Sequence, residues 1–466
     1  MNNKACKYII SLIRTIPISV HKGQHALLLA DNSAESIALF GFFLKNNVPL
    51  ILLNASMRDE QVQEYMDEYR PQWFMYPKNR NLPQYSGGQT GHSENRKRYQ
   101  CYETACEWNG YVIASRGNAG FELTYHWLED LALLIPTSGS TGGRRLVMLT
   151  KAKLAANAKS IAESLRMDCT ERSAVLMPVS YSYGLSVVNS TIYAGGCLLI
   201  PETDIFHKEC WDYLEENRVT AISGVPYAYE WYRKLHVFDR TFEALRLMTT
   251  AGGAMSRSMK EYLLQEAERR NVDLAVMCGQ TEATARISSF FLNEHPDKID
   301  TVIPGGKLTI SLADENGCGE IVYEGKNVFL GYAHSLNQLF ITEQESYKYT
   351  VLRYTGDAGY IDGDGYLYIT GRMNRYAKIC GQRVGLDELQ TEIGKMFGQK
   401  VAAVMTADGE REMIGIFGTK EPDAAWERRV LQRYPILRGS VKYIQIEELP
   451  RTMNGKLDYK KLQEYI

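Results

Sequence analysis

Residues 133–147 read Leu133-Leu134-Ile135-Pro136-Thr137-Ser138-Gly139-Ser140-Thr141-Gly142-Gly143-Arg144-Arg145-Leu146-Val147. Four hydroxyl residues and three glycines fill the seven positions from Thr137 to Gly143, directly after an apolar run. Glycine lets a backbone turn tightly, and successive N–H and O–H donors can then converge on one anion, which is a way to cradle phosphate oxygens. Arg144 and Arg145 follow, and guanidinium forks match phosphate as well as carboxylate oxygens. A flexible serine and glycine turn has the same composition, and on these residues alone both readings stay open.

Several named motifs are excluded. The nucleotide loop G-x4-G-K-[ST] requires lysine where Gly142 is followed by Gly143 and Arg144. No G-x-G-x-x-G opens a helix after an early strand, and neither Gly139 nor Gly142 brackets a serine at the G-x-S-x-G spacing. Asp362-Gly363-Asp364-Gly365 resembles the start of a calcium loop, but Leu367 stands where the turn glycine belongs.

The elements that must position such a loop alternate regularly. The apolar run Ala26 to Ala30 is followed by Asp31 and Asn32 as caps and by Ile37, Phe40, Phe43 and Leu44 at helical spacing. Strand and helix then recur through 50–69, 174–193, 198–216, 221–236 and 245–277. This order implies parallel sheets flanked by helices. Residues 78–120, with scattered glycines and Arg96-Lys97-Arg98, read as an exposed insertion. From about 305 hairpin signals take over, with turns at 314–317 and 363–365. A helix at 386–397, strands near 401–406 and 413–417, a helix at 424–432 and a strand at 441–446 complete a small α+β tail. The expected fold is α/β: a large N-terminal domain of parallel sheets with a small antiparallel β-barrel-like part, residues 1–372, then a small mobile α+β domain, residues 373–466.

Composition narrows the function. The 466 residues are 45% hydrophobic and 23% charged, with 53 basic against 55 acidic side chains and a net charge of -2. That balance gives no footprint for nucleic acid or an anionic membrane. No stretch is apolar enough to span a bilayer, and Arg14 ends the run Ile9 to Ile13 short of a signal core. Nine scattered cysteines without zinc spacing read as reduced thiols of a cytoplasmic protein.

Thr137 to Gly142 resembles the phosphate-binding motif of the AMP-forming adenylating enzymes: acyl-CoA synthetases, peptide-synthetase adenylation domains and luciferases. Five further segments are similar in that family's order. They are Ala251-Gly252-Gly253-Ala254, Gly279-Gln280-Thr281-Glu282, Gly319-Glu320 with Gly331-Tyr332, Tyr354-Thr355-Gly356-Asp357 with Gly371-Arg372, and Leu449-Pro450-Arg451-Thr452-Met453-Asn454-Gly455-Lys456. The resemblance runs from about residue 130 to the C-terminus. It implies that Thr137, Ser138, Gly139, Ser140, Thr141 and Gly142 hold the phosphates of ATP, and that Glu282 helps bind Mg²⁺. It also implies nucleotide contacts from Gly252, Gly253, Cys278, Gly279, Gln280, Thr281 and Lys378. Asp357 would accept from the ribose hydroxyls, Arg372 would contact ribose or phosphate, and Lys456 would be the catalytic cation, with Thr141 and Glu282 beside it in the chemical step.

The reaction implied is attack of a small carboxylic acid on ATP to give an acyl-adenylate and pyrophosphate, followed by transfer to a thiol. Coenzyme A is the expected acceptor, and the phosphopantetheine arm of an acyl carrier protein is the alternative. In relatives the small domain rotates about a hinge, here Asn374, and the segment 378–384 resembles the loop that enters for thiolation. Three departures stand out. Arg144-Arg145-Leu146 replaces the usual Pro-Lys-Gly, Cys278 replaces an adenine-stacking aromatic, and Tyr181 stands where amino-acid activators often carry aspartate. Tyr181, Tyr183 and Tyr227 are candidates to line an acyl pocket. A nucleotide-binding relative that has lost the reaction is the competing class.

Overall fold

The computed structural model describes residues 4–80, 102–116, 127–128, 130–137, 145–253, 255–294, 301–315, 317–340, 352–373, 375–379, 382–408, 411–423, 425–433, 439, 441–452 and 455–465. The chain divides into two compact units. The first comprises 1–297, 302–306 and 324–353; the second comprises 298–301, 307–323 and 354–466.

The first unit is built on two large sheets. In the eight-stranded sheet the spatial order is Gly331–Ala333, Leu146–Thr150, Leu131–Pro136, Leu50–Asn54, Ala26–Ala30, Trp73–Pro77, Tyr111–Arg116 and Tyr102–Trp108. Ala26–Ala30 pairs in parallel with Leu50–Asn54 and Trp73–Pro77, and its residues are all buried. A strand covered on both faces needs a continuous apolar run, which is what Ala-Leu-Leu-Leu-Ala supplies. The seven-stranded sheet places Cys197–Leu199, Arg172–Ala174, Ala221–Gly224, Leu247–Ala251, Asp273–Cys278 and Ser288–Phe291 side by side, with a short edge strand at 301–302. The pairings from Cys197–Leu199 across to Asp273–Cys278 are all parallel, and Ser288–Phe291 pairs with Asp273–Cys278 antiparallel. The helices Lys151–Ser164 and Ser182–Tyr193 pack against one another. Thr150 caps the first by accepting from the Lys153 N–H.

Two local expectations are corrected. The helix Ala34–Lys45 is capped by Ser33, whose hydroxyl accepts from the Ser36 N–H at 3.1 Å. Asp31 instead accepts from the hydroxyls of Ser36 and Tyr111, and Asn32 accepts from the Val179 N–H. Residues 78–120 are not simply an exposed insertion. Tyr102–Trp108 and Tyr111–Arg116 form a hairpin that extends the eight-stranded sheet and buries Tyr102, Trp108, Tyr111 and Ile113. The run Arg96-Lys97-Arg98 lies outside the described residues. The helix Lys4–Thr15, which was not anticipated, buries Ile9 and Leu12 and packs on Ala34–Lys45.

The second unit contains a four-stranded sheet, in the order Gly306–Ser311, Gly319–Gly325, Leu352–Ile361, Leu367–Arg372, which is the hairpin-rich part expected after 305. Its tail is a three-stranded sheet, Val401–Asp408, Arg411–Gly418 and Val441–Gln445. One face buries Ala403, Ile414 and Ile416 against Leu389 and Ile393 of the helix Leu386–Phe397. The other buries Ala402, Val404 and Phe417 against Leu449 and Leu462. Period-two alternation in the strands serves both faces at once. Among the described residues no helix is long and apolar enough to cross a membrane.

Candidate active site

The strands Leu131–Pro136 and Leu146–Thr150 are antiparallel, with Pro136 opposite Leu146, so they clamp both ends of the loop between them. Ser138, Gly139, Ser140, Thr141 and Gly142 lie outside the described residues; Thr137 and Arg145 frame them. The Arg145 guanidinium donates to Thr137 Oγ1 at 3.4 Å and lies 3.9 Å from the centre of the Tyr332 ring. Tyr332 is brought there because Gly331–Ala333 pairs with the outer strand, Tyr332 opposite Val147. Its hydroxyl donates to Glu282 Oε1 at 2.6 Å, and the Arg353 guanidinium is 3.7 Å from the same oxygen. Burial and the Glu282 carboxylate push the Tyr332 phenol up to about 12, so it stays a donor at neutral pH. A continuous chain of contacts thus links Thr137 to Glu282.

Glu282 sits on a turn wound more tightly than its sequence announces. Ala251 pairs with Met277 in parallel register, so Gly252-Gly253 and, after the strand's last residue Cys278, Gly279-Gln280-Thr281 leave the sheet at the same carboxyl edge. Ligands of open α/β sheets bind at such edges. Gly252 takes φ +83°, where a side chain would be strained. At Gly279 an added Cβ would stand 1.6 Å from the Ala285 carbonyl oxygen. Thr281 to Ala283 form one 3-10 turn, and Thr281 Oγ1 donates to Ser182 Oγ at 3.2 Å. Buried Asn327 holds the turn from beneath, its Nδ2 donating to the carbonyls of Ala283 and Arg286.

The same turn carries Arg286, a residue the sequence reading passed over. It is 3% exposed and lies among Tyr183, Thr249, Ser223 and Met277 around a small cavity. Burial holds its guanidinium below the ordinary arginine value. An arginine opening the segment Ile287-Ser288-Ser289-Phe290-Phe291-Leu292 was the available signal. Tyr183 does line this cavity and its hydroxyl bonds to Thr249; Tyr181 and Tyr227 pack against the neighbouring core. Arg353, directly before Tyr354, was likewise missed.

In the second unit Asp357 and Arg372 face each other across an antiparallel pair, with Arg372 Nε 2.7 Å from Asp357 Oδ1. Asp357 is buried and Arg372 half exposed. Lys378 lies opposite Arg383 in the hairpin Tyr376–Ile379 and Gln382–Gly385, while Asn374, Cys380 and Gly381 lie outside the described residues. Lys456 sits in a turn closed by the Thr452 N–H, which donates to its carbonyl at 2.7 Å, and by the Asp458 N–H, which donates to Pro450.

An α/β unit of this kind, its hydroxyl-rich loop carried by the eight-stranded sheet and linked through Arg145 and Tyr332 to an acidic turn at the end of the seven-stranded sheet, matches the fold of adenylate-forming ligases. The comparisons with known proteins agree. A family model described as AMP-binding enzyme matches residues 11–333. The oxalate–CoA ligase of Saccharomyces cerevisiae is 26% identical over 403 residues, 79% of this chain and 70% of that protein. The D-alanine–D-alanyl carrier protein ligase of Staphylococcus epidermidis is 24% identical and aligned over 72% of both chains. Some relatives are far longer: malpinin synthetase of Mortierella alpina is 27% identical over 71% of this chain, which spans 5% of it. Among solved structures, the o-succinylbenzoate CoA synthetase of Bacillus subtilis with its acyl-adenylate shares the fold at a TM-score of 0.72 and 20% identity, over 98% of this chain and 91% of that one. This chain belongs to the AMP-binding enzyme family.

Proposed function

We propose that the chain is an acid–thiol ligase that converts a small carboxylic acid and ATP to an acyl-adenylate and pyrophosphate, then passes the acyl group to coenzyme A. The observation that carries this reading is the unbroken contact from Thr137 through Arg145 and Tyr332 to Glu282. In this reading Thr137, Ser138, Gly139, Ser140, Thr141 and Gly142 take the phosphates. Gly252, Gly253, Cys278, Gly279, Gln280 and Thr281 border the nucleoside, and Asp357 with Arg372 takes the ribose. Negative charge grows on the bridging oxygen as the carboxylate attacks, so preorganised cations and donors supply the rate. Lys456 is the mobile cation of that step, carried by residues 373–466 acting as a lid, and Lys378 belongs to the segment that enters for thiolation.

Magnesium fits the acidic turn. This ion commonly takes one or two carboxylates and completes its shell with phosphate oxygens and water. Glu282 Oε1 is oriented by Tyr332, and Oε2 has no hydrogen-bond partner among the described residues. Bound there, the ion would neutralise phosphate charge.

The deciding experiment is ATP consumption with AMP as product, and hydroxamate trapping of the activated acid, across a panel of carboxylic acids. Lys456→Ala slows adenylate formation by roughly 10² to 10³ while ATP binding persists; unchanged pyrophosphate exchange in that variant would refute its role. A carrier-protein acceptor is the second reading, supported by the match over 72% of both chains with a ligase named for its carrier protein. Mass gain on purified carriers, set against acyl-CoA formation, separates the two acceptors.

A further inference from the structure

Two buried carboxylates among the described residues have opposite charges beside them. Glu171, whose side chain is fully buried, holds Arg246, and Asp357 holds Arg372. Arg286 is placed differently. Among the described residues no carboxylate pairs with it. Its Nε contacts the thioether sulfur of Met277 at 3.2 Å, its Nη1 donates to the Ala285 carbonyl at 3.3 Å, and its cationic centre rests 4.0 Å from the middle of the Tyr183 ring. These are weak partners for a fully desolvated guanidinium, which has more N–H donors than they use.

Its position is nonetheless tightly held. The Arg286 carbonyl accepts from Asn157 at 3.2 Å and from Asn327 at 2.9 Å, both buried amides. The backbone is therefore pinned from two sides, and the guanidinium is kept at the wall of a cavity it shares with the hydroxyl-bearing Tyr183, Ser223 and Thr249. The free space is small, about 20 Å³, room for about one water molecule and so for the tip of a polar head group rather than a hydrocarbon chain. A buried cation kept without a counter-charge costs stability, and a bound anion would relieve that cost.

We propose that Arg286 is the specificity determinant of the acyl pocket, and that the acid this chain activates carries a second anionic group, such as a second carboxylate, which the guanidinium takes in this cavity. The proposal rests on the adenylation reading given above. It assigns the turn 279–286 two functions: Glu282 serves the nucleotide and Arg286 the far end of the acid.

The test uses the whole chain with ATP, Mg²⁺ and hydroxylamine, and offers acids in matched sets: succinate with succinamate and butyrate, and phthalate with phthalamate and o-toluate. In at least one set the diacid is expected to exceed its neutral partners by about a hundredfold in kcat/KM, because a site built around a charged contact rejects analogues that leave it unpaired. Arg286→Met abolishes that advantage and raises activity on the neutral partner, while its thermal midpoint without substrate stays at or above that of the parent protein. Arg286→Lys retains the order of preference with a weaker ratio. Activation confined to neutral acids, or a diacid preference unchanged in Arg286→Met, overturns the proposal and leaves the ligase reading standing. Absence of both hydroxamate and pyrophosphate exchange with every acid removes the ligase reading, and this proposal with it.

Discussion

Tyr332 is held in place by a strand of three residues, Gly331–Ala333, and joins two charges through one ring: its face carries the Arg145 guanidinium and its hydroxyl reaches Glu282. Tyr332→Phe keeps the face and removes the donor. A buried hydrogen bond to a charged group is worth about 1.5–3 kcal/mol, so the urea midpoint of the variant should fall by the corresponding amount. Adenylate formation should drop as Glu282 loses its orientation. An unaltered midpoint together with unaltered pyrophosphate exchange would show that the phenol positions nothing. Sequence displayed Gly331-Tyr332 as a motif, but its partners lie 50 and 187 positions away along the chain and no local pattern names them.

At the level of elements, the turn after Asp273–Cys278 depends on Gly279. Any Cβ there meets the Ala285 carbonyl oxygen, a backbone atom that cannot swing aside. Gly279→Ala should cost about 1–3 kcal/mol and depress AMP formation more than it depresses the fraction folded at the assay temperature, since the forced shift moves Glu282 directly. Calorimetry beside a steady-state assay checks this; equal losses in both would make the glycine a purely structural requirement. A second junction is pH-sensitive. His25 precedes the strand Ala26–Ala30, and its Nε2–H donates to the Tyr69 carbonyl at the end of the helix Asp59–Tyr69, at 2.6 Å. Its Nδ1 is buried without a partner, and burial lowers the imidazole to about 4 from an ordinary 6.5. The folded chain thus prefers neutral His25. Stability from this group is complete above pH 6.5 and is lost as pH falls through 4, to a total of about 3 kcal/mol. Comparing urea midpoints of the parent and His25→Gln at pH 7 and pH 4 isolates it: the acid loss should be smaller in the variant, and identical losses would acquit this histidine.

For the molecule as a whole, ligand linkage is the informative quantity. A nucleotide that binds only the folded chain stabilises it by about 2.7 kcal/mol at a hundred times its dissociation constant. ATP with Mg²⁺ should therefore raise the thermal midpoint of the parent and of Lys456→Ala by similar amounts, because the phosphate and acidic elements lie in the first unit and Lys456 in the second. A shift seen in the parent and missing in Lys456→Ala would instead give that lysine a principal share of ground-state binding.

Much of this was legible in one dimension. The apolar run from Ala26 to Ala30, the helix Lys208–Glu216 and the helix Leu386–Phe397 follow from periodicity within a single element, and the ordered segments from Thr137 to Lys456 were enough to identify the family. Other features required the chain to be folded. Ser33 rather than Asp31 caps its helix because Tyr111, 80 residues further on, engages the aspartate. The Tyr102–Trp108 hairpin gains its place by lying beside Tyr111–Arg116 at a sheet edge, although its own alternation is weak. Arg286 is unremarkable as a letter and consequential as a position. Local sequence determines which conformation a segment prefers, whereas the solvent exposure and counter-charge of a side chain depend on what the rest of the chain brings beside it.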